Sequence, residues 1–506
     1  MAAVARPARR AGLIGGLVLA AVVLALLAPF ATADPPAGLT ASNAPWTDEG
    51  FNLANARERV LTGAFATGDI DRSLTNGAYS AVAAVVFAVR GPNLAAGRAI
   101  SMVAVAGAVL LLAVGLAEAL GTLPALLAAA VLAGADLVLE YGRLALVEPL
   151  VVLLLTVAFV LAVRAPSRPS PWAGAGLGLA LAAAVSVKAI ALLPALATLA
   201  VMLVAALARR DRRALAMGLV GLGVALAAGL VWLLAVALPN LDRLRTGLEI
   251  WPRVSYLAAP WTLAGRLWRY LAAGSDGAAW RSLPLLAAAA LGLVALAVSW
   301  RRLAPAARDT LLIAGLWGIG LWAALGVGDY LPTHYLAPNR YVVPALPGLA
   351  VLGGFGLAWL AGTVARQGTA RTAVAVVLAL AVAVPGTARY LAAAAGSGHQ
   401  RERDQRTLAA ALPPRAVVFG AYAPTLLFDT RDRLISTWPP AGANVDDPVG
   451  RFGVSHVLAA GPADPADPTT QVPAFRDLDG RRPLARVEWG GRTVSLYEVG
   501  AAAATR

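Results

Sequence analysis

Long apolar runs of Ala, Leu, Val and Gly follow one another along this chain to about residue 390, separated by short breaks that carry arginine. About 20 apolar residues in a helix cover the roughly 30 Å hydrocarbon core of a bilayer. Such runs lie at 11–33, 94–117, 123–140, 149–164, 172–187, 189–208, 214–238, 282–299, 309–327, 341–362 and 371–389, which predicts eleven transmembrane helices. Past about residue 390 the pattern changes. Asp, Pro and Arg clusters replace the runs, and short β-rich pieces at 416–420, 456–460, 485–489 and 493–499 alternate with turn residues. Gly490-Gly491 reads as a hairpin turn between the last two. The expected fold is an all-α polytopic membrane domain over residues 1–390, with interfacial helices in its external loops, followed by a small soluble extracytoplasmic α/β domain over 391–506.

The loop charges orient these helices. Arg164 and Arg168, then Arg209, Arg210, Arg212 and Arg213, then Arg301, Arg302 and Arg308, then Arg366 and Arg371 all fall on the side shared with Arg6, Arg9 and Arg10. Cytoplasmic loops carry the excess of arginine, so the N-terminus is expected in the cytoplasm of a multi-pass protein of the inner or plasma membrane. The first run ends in A-T-A-D, which resembles a signal-peptide cleavage site, but its length favours an uncleaved helix. Segment 78–90 is shorter. Counting it as a span inverts every later loop, so it is read as an interfacial or re-entrant helix. The external loops are then 34–93, 141–148, a tight turn at Lys188, 239–281 and 328–340. The fourth interleaves Trp251, Trp261, Trp268, Tyr256 and Tyr270 with Arg243, Arg245, Arg253, Arg266 and Arg269, as suits the headgroup boundary.

Composition agrees with a membrane protein: 59% of the 506 residues are hydrophobic and 14% charged, and the mean hydropathy is +0.70. The net charge of +14 sits in the breaks between runs, where it serves topology and lipid contact rather than nucleic acid. Absence of cysteine removes disulfides, thiol nucleophiles and Cys-based metal sites. The three histidines form no H-E-x-x-H, and neither G-x-x-x-x-G-K-[ST] nor G-x-S-x-G occurs. No cofactor is required by these residues, no metal centre is read from them, and participation of a divalent cation is left open.

The loop assignment gathers the ionisable groups of several spans on one membrane face. Asp48 and Glu49 stand in W-T-D-E-G-F-N-L-A-N-A-R-E-R-V-L-T-G, at the head of an amphipathic helix. An acidic pair can serve the dipole of a helix N-terminus. That reading is weaker for Asp48, since the helix behind it already offers Asn52, Asn55, Arg57 and Glu58. Arg98 lies just inside the second span, Asp136, Glu140, Arg143 and Glu148 surround the 141–148 turn, and His334, Tyr335, Arg340 and Tyr341 cluster near the 328–340 loop. Lys188 is the one lysine among 42 basic residues. It suits an anion as a compact ammonium, or snorkels to the interface. Arg143 and Arg340 can bind phosphate with a bidentate fork or anchor at the interface. Gly174 and Gly178 read as helix packing.

The order of an external D-E with its amphipathic helix, R-L-A-L-V-E-P, S-V-K-A-I-A-L-L-P-A-L and N-R-Y-V-V-P-A-L-P-G-L-A resembles the GT-C glycosyltransferases over about residues 10–390. It is most similar to the protein O-mannosyltransferase and aminoarabinose-lipid A transferase group. The resemblance implies an inverting transferase that moves a mannose-like sugar or a pentose from a polyprenyl-phosphate donor to a protein, lipid or polysaccharide acceptor at the outer face of the bilayer. It implies Asp48 as general base, Glu49 and Glu148 as groups positioning hydroxyls or a cation, and Arg143, Lys188 and Arg340 on the donor phosphate. Tyr341 neighbours that phosphate group, and His334 competes with Arg340 for its role, because T-H-Y-L-A-P-N-R-Y departs from the family pattern. Arg57, Arg98 and Asp136 complete the candidates. The alternative is a transporter or flippase of lipid-linked sugars, which needs ionisable groups or broken helices near the bilayer midplane.

Overall fold

The structure, a computed structural model, describes residues 2–35, 47–65, 71–242, 244, 283–327, 339–366, 368–436, 447–461, 467–489 and 491–499. Most of the 239–281 loop, together with His334, Tyr335 and Gly490, lies outside the described residues.

A helix occupies each of the eleven expected positions. Among the described residues, seven helices are long and apolar enough to cross a membrane, and an eighth span results if Thr122–Ala133 and Asp136–Gly142, bent by 59°, count as one. The chain is a multi-pass membrane protein. Helices α1 (Ala2–Leu27), α4 (Leu94–Leu116), α5 (Thr122–Ala133) and α7 (Glu148–Arg164) pack together, and α8 (Pro171–Val187) joins them through α7. Large apolar side chains such as Leu219, Leu226, Leu230 and Val231 point outward from the Arg212–Trp232 helix, as a lipid-facing helix requires. Gly174 and Gly178 pack α8 onto that helix: a Cβ at either would collide with the carbonyl oxygen of Met217 or Gly221. Small residues let two helix backbones approach closely in the absence of a hydrophobic drive.

Segment 78–90 forms helix α3 (Gly77–Arg90), lying against α2 (Thr47–Thr62), α4 and α8. The Asn339–Ala345 run ahead of the Leu346–Val364 helix is 3-10, with Pro344 inside it. Proline withholds a backbone N–H and disturbs the α-helical ladder. The run is held by Trp317, whose indole Nε1 donates to the Pro344 carbonyl over 2.7 Å.

After the long helix Gly368–Ala395 the chain forms the helix Gln400–Ala410 and a five-stranded sheet ordered β2-β1-β3-β5-β4. Strands β1 (Val417–Phe419), β3 (His456–Ala459), β4 (Ala485–Trp489) and β5 (Arg492–Glu498) lie at the expected places. Strand β2 (Arg433–Ile435), parallel to β1, is an addition. Its three residues are too short for alternation to show in the sequence. Gly491 closes the β4–β5 hairpin at φ +78°, a conformation glycine adopts freely.

Candidate active site

Four elements deliver ionisable side chains to one point. Asp48 comes from the first turn of α2, and Glu148 opens α7 ahead of Pro149. Both acids stand where the helix dipole favours negative charge. Lys188 sits in extended backbone at the break between α8 and the Leu192–Ala208 helix. Arg340 comes from the 3-10 run.

The Arg340 guanidinium joins the two acids: Nη1 donates to Oδ2 of Asp48 over 2.5 Å, and Nε lies 3.6 Å from Oε1 of Glu148. The same Glu148 oxygen accepts from Nζ of Lys188. Lys188 Nζ also lies 4.0 Å from the ring centroid of Tyr341, and the Arg340 guanidinium 5.4 Å from it. Glu148 is buried, at 1% exposure, whereas Asp48 and Lys188 keep 17% and 22% of their side-chain surface open. The opening is therefore on the Asp48 and Lys188 side.

Arg72 belongs to the same neighbourhood and was missed in the sequence. It follows Asp71, which caps a 3-10 turn through the Ser73 N–H, and its guanidinium lies 4.2 Å from the Phe51 ring centroid. Desolvation draws its pKa down to about 10, with the Asp48 charge opposing that shift. It remains a cation at neutral pH. Nothing in D-I-D-R-S-L distinguishes it from an ordinary polar loop; only the fold brings it near Asp48.

Other candidates are placed elsewhere. Glu49 is buried: its carboxylate takes two hydrogen bonds from Arg98, each 2.8 Å, and one from the Ala145 N–H at 2.7 Å. Burial pushes this carboxyl up, but the Arg98 charge and these hydrogen bonds outweigh it and hold its pKa below the ordinary value. Arg98 also donates to the carbonyls of Ala31 and Ala33. Arg143, expected on phosphate, instead donates to the carbonyls of Phe30, Ala33 and Asp34 and to Ser397 Oγ. The two arginines thus satisfy carbonyls of residues 30–34, the stretch that follows the first helix. Asp136 lies 3.4 Å from Arg389 of the long helix. Glu140 is buried, and its charge acts on Arg143. Arg57 is turned toward the C-terminal sheet domain. His334 lies outside the described residues. No three His, Asp or Glu side chains converge on a metal position among the described residues.

The cluster can therefore hold an anion between Arg340, Lys188 and Arg72 while a carboxylate stands beside it. Three cations against two carboxylates leave one positive charge, which a single phosphodiester neutralises.

No family model matches the chain, and no curated protein matches it. Solved structures do. ArnT from Cupriavidus metallidurans in the apo state superposes with a TM-score of 0.64 at 16% identity, over 95% of this chain and 97% of that one. The same protein bound to undecaprenyl phosphate gives 0.60 with the same coverage. The apo Archaeoglobus fulgidus oligosaccharyltransferase gives 0.53 at 13% identity, over 88% of this chain and 69% of that one. The chain shares the fold of these solved structures, a fold in keeping with the resemblance that its sequence motifs carry.

Proposed function

We propose that this protein is an inverting membrane glycosyltransferase that takes a sugar, mannose-like or a pentose, from a polyprenyl-phosphate carrier and passes it to an acceptor hydroxyl. The transfer occurs at the outer face of the inner or plasma membrane, with the N-terminus in the cytoplasm and residues 391–506 outside. What supports the reading is one guanidinium, that of Arg340, shared by Asp48 and Glu148 beside Lys188, in a chain with the GT-C fold. ArnT bound to undecaprenyl phosphate, a carrier of the proposed class, shares that fold.

In this reading Arg340, Lys188 and Arg72 bind the donor phosphate, and Tyr341 orients the two cations over its ring. The acceptor oxygen attacks the anomeric carbon from the side opposite the phosphate, and Asp48 takes its proton. The bond from anomeric carbon to phosphate oxygen breaks, and the carrier leaves as a phosphate with one additional negative charge. The three cations stabilise that charge where water is scarce and such contacts count most. Glu148 positions Lys188 and Arg340. Glu49 and Arg143 act one layer behind, fixing α2 and the end of α1.

The test is to incubate purified protein with labelled polyprenyl-phosphate sugars and candidate acceptors. Turnover of one donor is expected, with Asp48→Asn slowing transfer by about 10²- to 10⁴-fold, the range for general base catalysis. Absence of turnover across the panel, or an undiminished Asp48→Asn enzyme, overturns the reading.

A further inference from the structure

The helix that carries Asp48 is gripped by the C-terminal domain. Arg57 lies on α2, nine residues beyond Asp48, and its side chain is completely buried. Its Nε donates to the Phe428 carbonyl, and its Nη2 to the carbonyls of Thr430 and Asp432, each over 2.8 Å. Nη1 pairs with Glu58 at 2.6 Å, and the guanidinium carbon lies 5.8 Å from the Phe428 ring centroid. Three carbonyls of one short loop thus converge on one side chain of the membrane domain.

That loop is tied to other elements as well. Asp429 accepts from the Leu94 N–H at the start of α4 over 2.7 Å and pairs with Arg401 at 2.9 Å. The Phe428 ring lies 5.9 Å from Phe87 of α3. Gly50, two residues from Asp48, rests on the preceding turn, where a Cβ would collide with the Pro424 carbonyl oxygen. Helix α2 is held at residue 50 and again at residue 57 by residues 424–432.

Adhesion alone does not call for this chemistry. Burying an arginine is costly, and apolar packing of similar volume joins two surfaces as well or better. What a fork bound to three fixed carbonyls adds is register. A slip of one residue along α2 turns every side chain by about 100° and takes Asp48 out of the cluster.

We infer that Arg57 is a positioning residue, setting Asp48 against the reacting hydroxyl through the 428–432 loop, so that the C-terminal domain is a working part of the transfer site. The inference rests on Asp48 acting as base. It goes further, giving a role to the tail that its sequence does not disclose.

The test uses the full-length protein in lipid, with Arg57→Gln, Asp48→Asn and the double variant. Misplacing a catalytic group by about 1 Å costs on the order of 10²-fold, so Arg57→Gln is expected to lower kcat by about 10- to 100-fold. The donor KM should stay within about threefold of the parent, since the phosphate cations are untouched. The double variant should be no slower than Asp48→Asn, because the group that Arg57 positions is already lost. Gly50→Ala pushes α2 off the same domain by a different means and should show the same pattern, covering the case in which Arg57→Gln does not fold. A lowered thermal midpoint with parental kcat, or equal losses in both backgrounds, overturns the inference. An Asp48→Asn enzyme with undiminished transfer overturns the base assignment first, and this inference with it.

Discussion

Arg340 donates to Asp48 over 2.5 Å while its Nε stands 3.6 Å from Glu148, so the proposed base is held by the same fork that is proposed to take the donor phosphate. An arriving phosphodiester competes with Asp48 for that fork. A hydrogen bond to a charged group contributes about 1.5–3 kcal/mol, so Arg340→Gln should raise the donor KM by about 10- to 100-fold. Arg340→Lys should recover only part of this, because an ammonium lacks the planar fork. Steady-state kinetics with varied donor reads the effect, and an unchanged KM removes Arg340 from the phosphate site.

Lys188 and Glu148 form a pair with one partner buried and the other partly open. Removing the cation leaves a buried carboxylate with less compensation, which is more harmful than removing both charges. Lys188→Gln is therefore expected to lower the thermal midpoint, and Glu148→Gln combined with it should restore part of the loss. Thermal unfolding of the three variants in one detergent checks this. A double variant less stable than Lys188→Gln would show that Glu148 is held by other contacts.

Much of the candidate site was legible because a membrane protein keeps few ionisable residues inside its apolar spans, so those it has gather at helix ends, where Asp48, Glu148, Lys188 and Arg340 all stand. The sequence favoured Asp48 over Glu49 as the base, but it kept Glu49 beside Asp48 as a site candidate. Successive helix residues point about 100° apart, so one acid of the pair meets Arg340 while the other meets Arg98. Arg143 was open to two readings for a related reason. An arginine at a helix end serves a phosphate or a neighbouring helix's free carbonyls equally well in sequence, and only the fold shows that Phe30, Ala33 and Asp34 lie within its reach. The grip of 424–432 on α2 joins residues more than 370 apart, and no local pattern announces it.

The Glu49–Arg98 pair should make the protein acid-sensitive in a defined sense. The folded pKa of Glu49 lies below its ordinary value, so its contribution is complete above the ordinary glutamate range and is lost as pH falls through the lowered folded value. Thermal midpoints measured between about pH 5 and pH 3 should fall steeply in the parent and less steeply in Glu49→Gln. At neutral pH that variant should already be less stable, since Arg98 keeps its burial and loses its countercharge. Parallel pH profiles for parent and variant would assign the acid sensitivity to other carboxyls.

Transfer is expected to proceed without a divalent cation, because the place between the two carboxylates is taken by Arg340. A bridging metal would have to displace a guanidinium that lies 2.5 Å from Asp48 and 3.6 Å from Glu148, and would face Lys188 at once. Adding a dication to three cations and two carboxylates raises the local charge from one to three, which a single phosphodiester does not neutralise. Activity should therefore be unchanged after treatment with a chelator and unchanged on adding back magnesium or manganese. Loss on chelation with recovery on adding the metal would mean that Arg340 moves aside in the working enzyme and that a metal ion takes over its contacts with both acids.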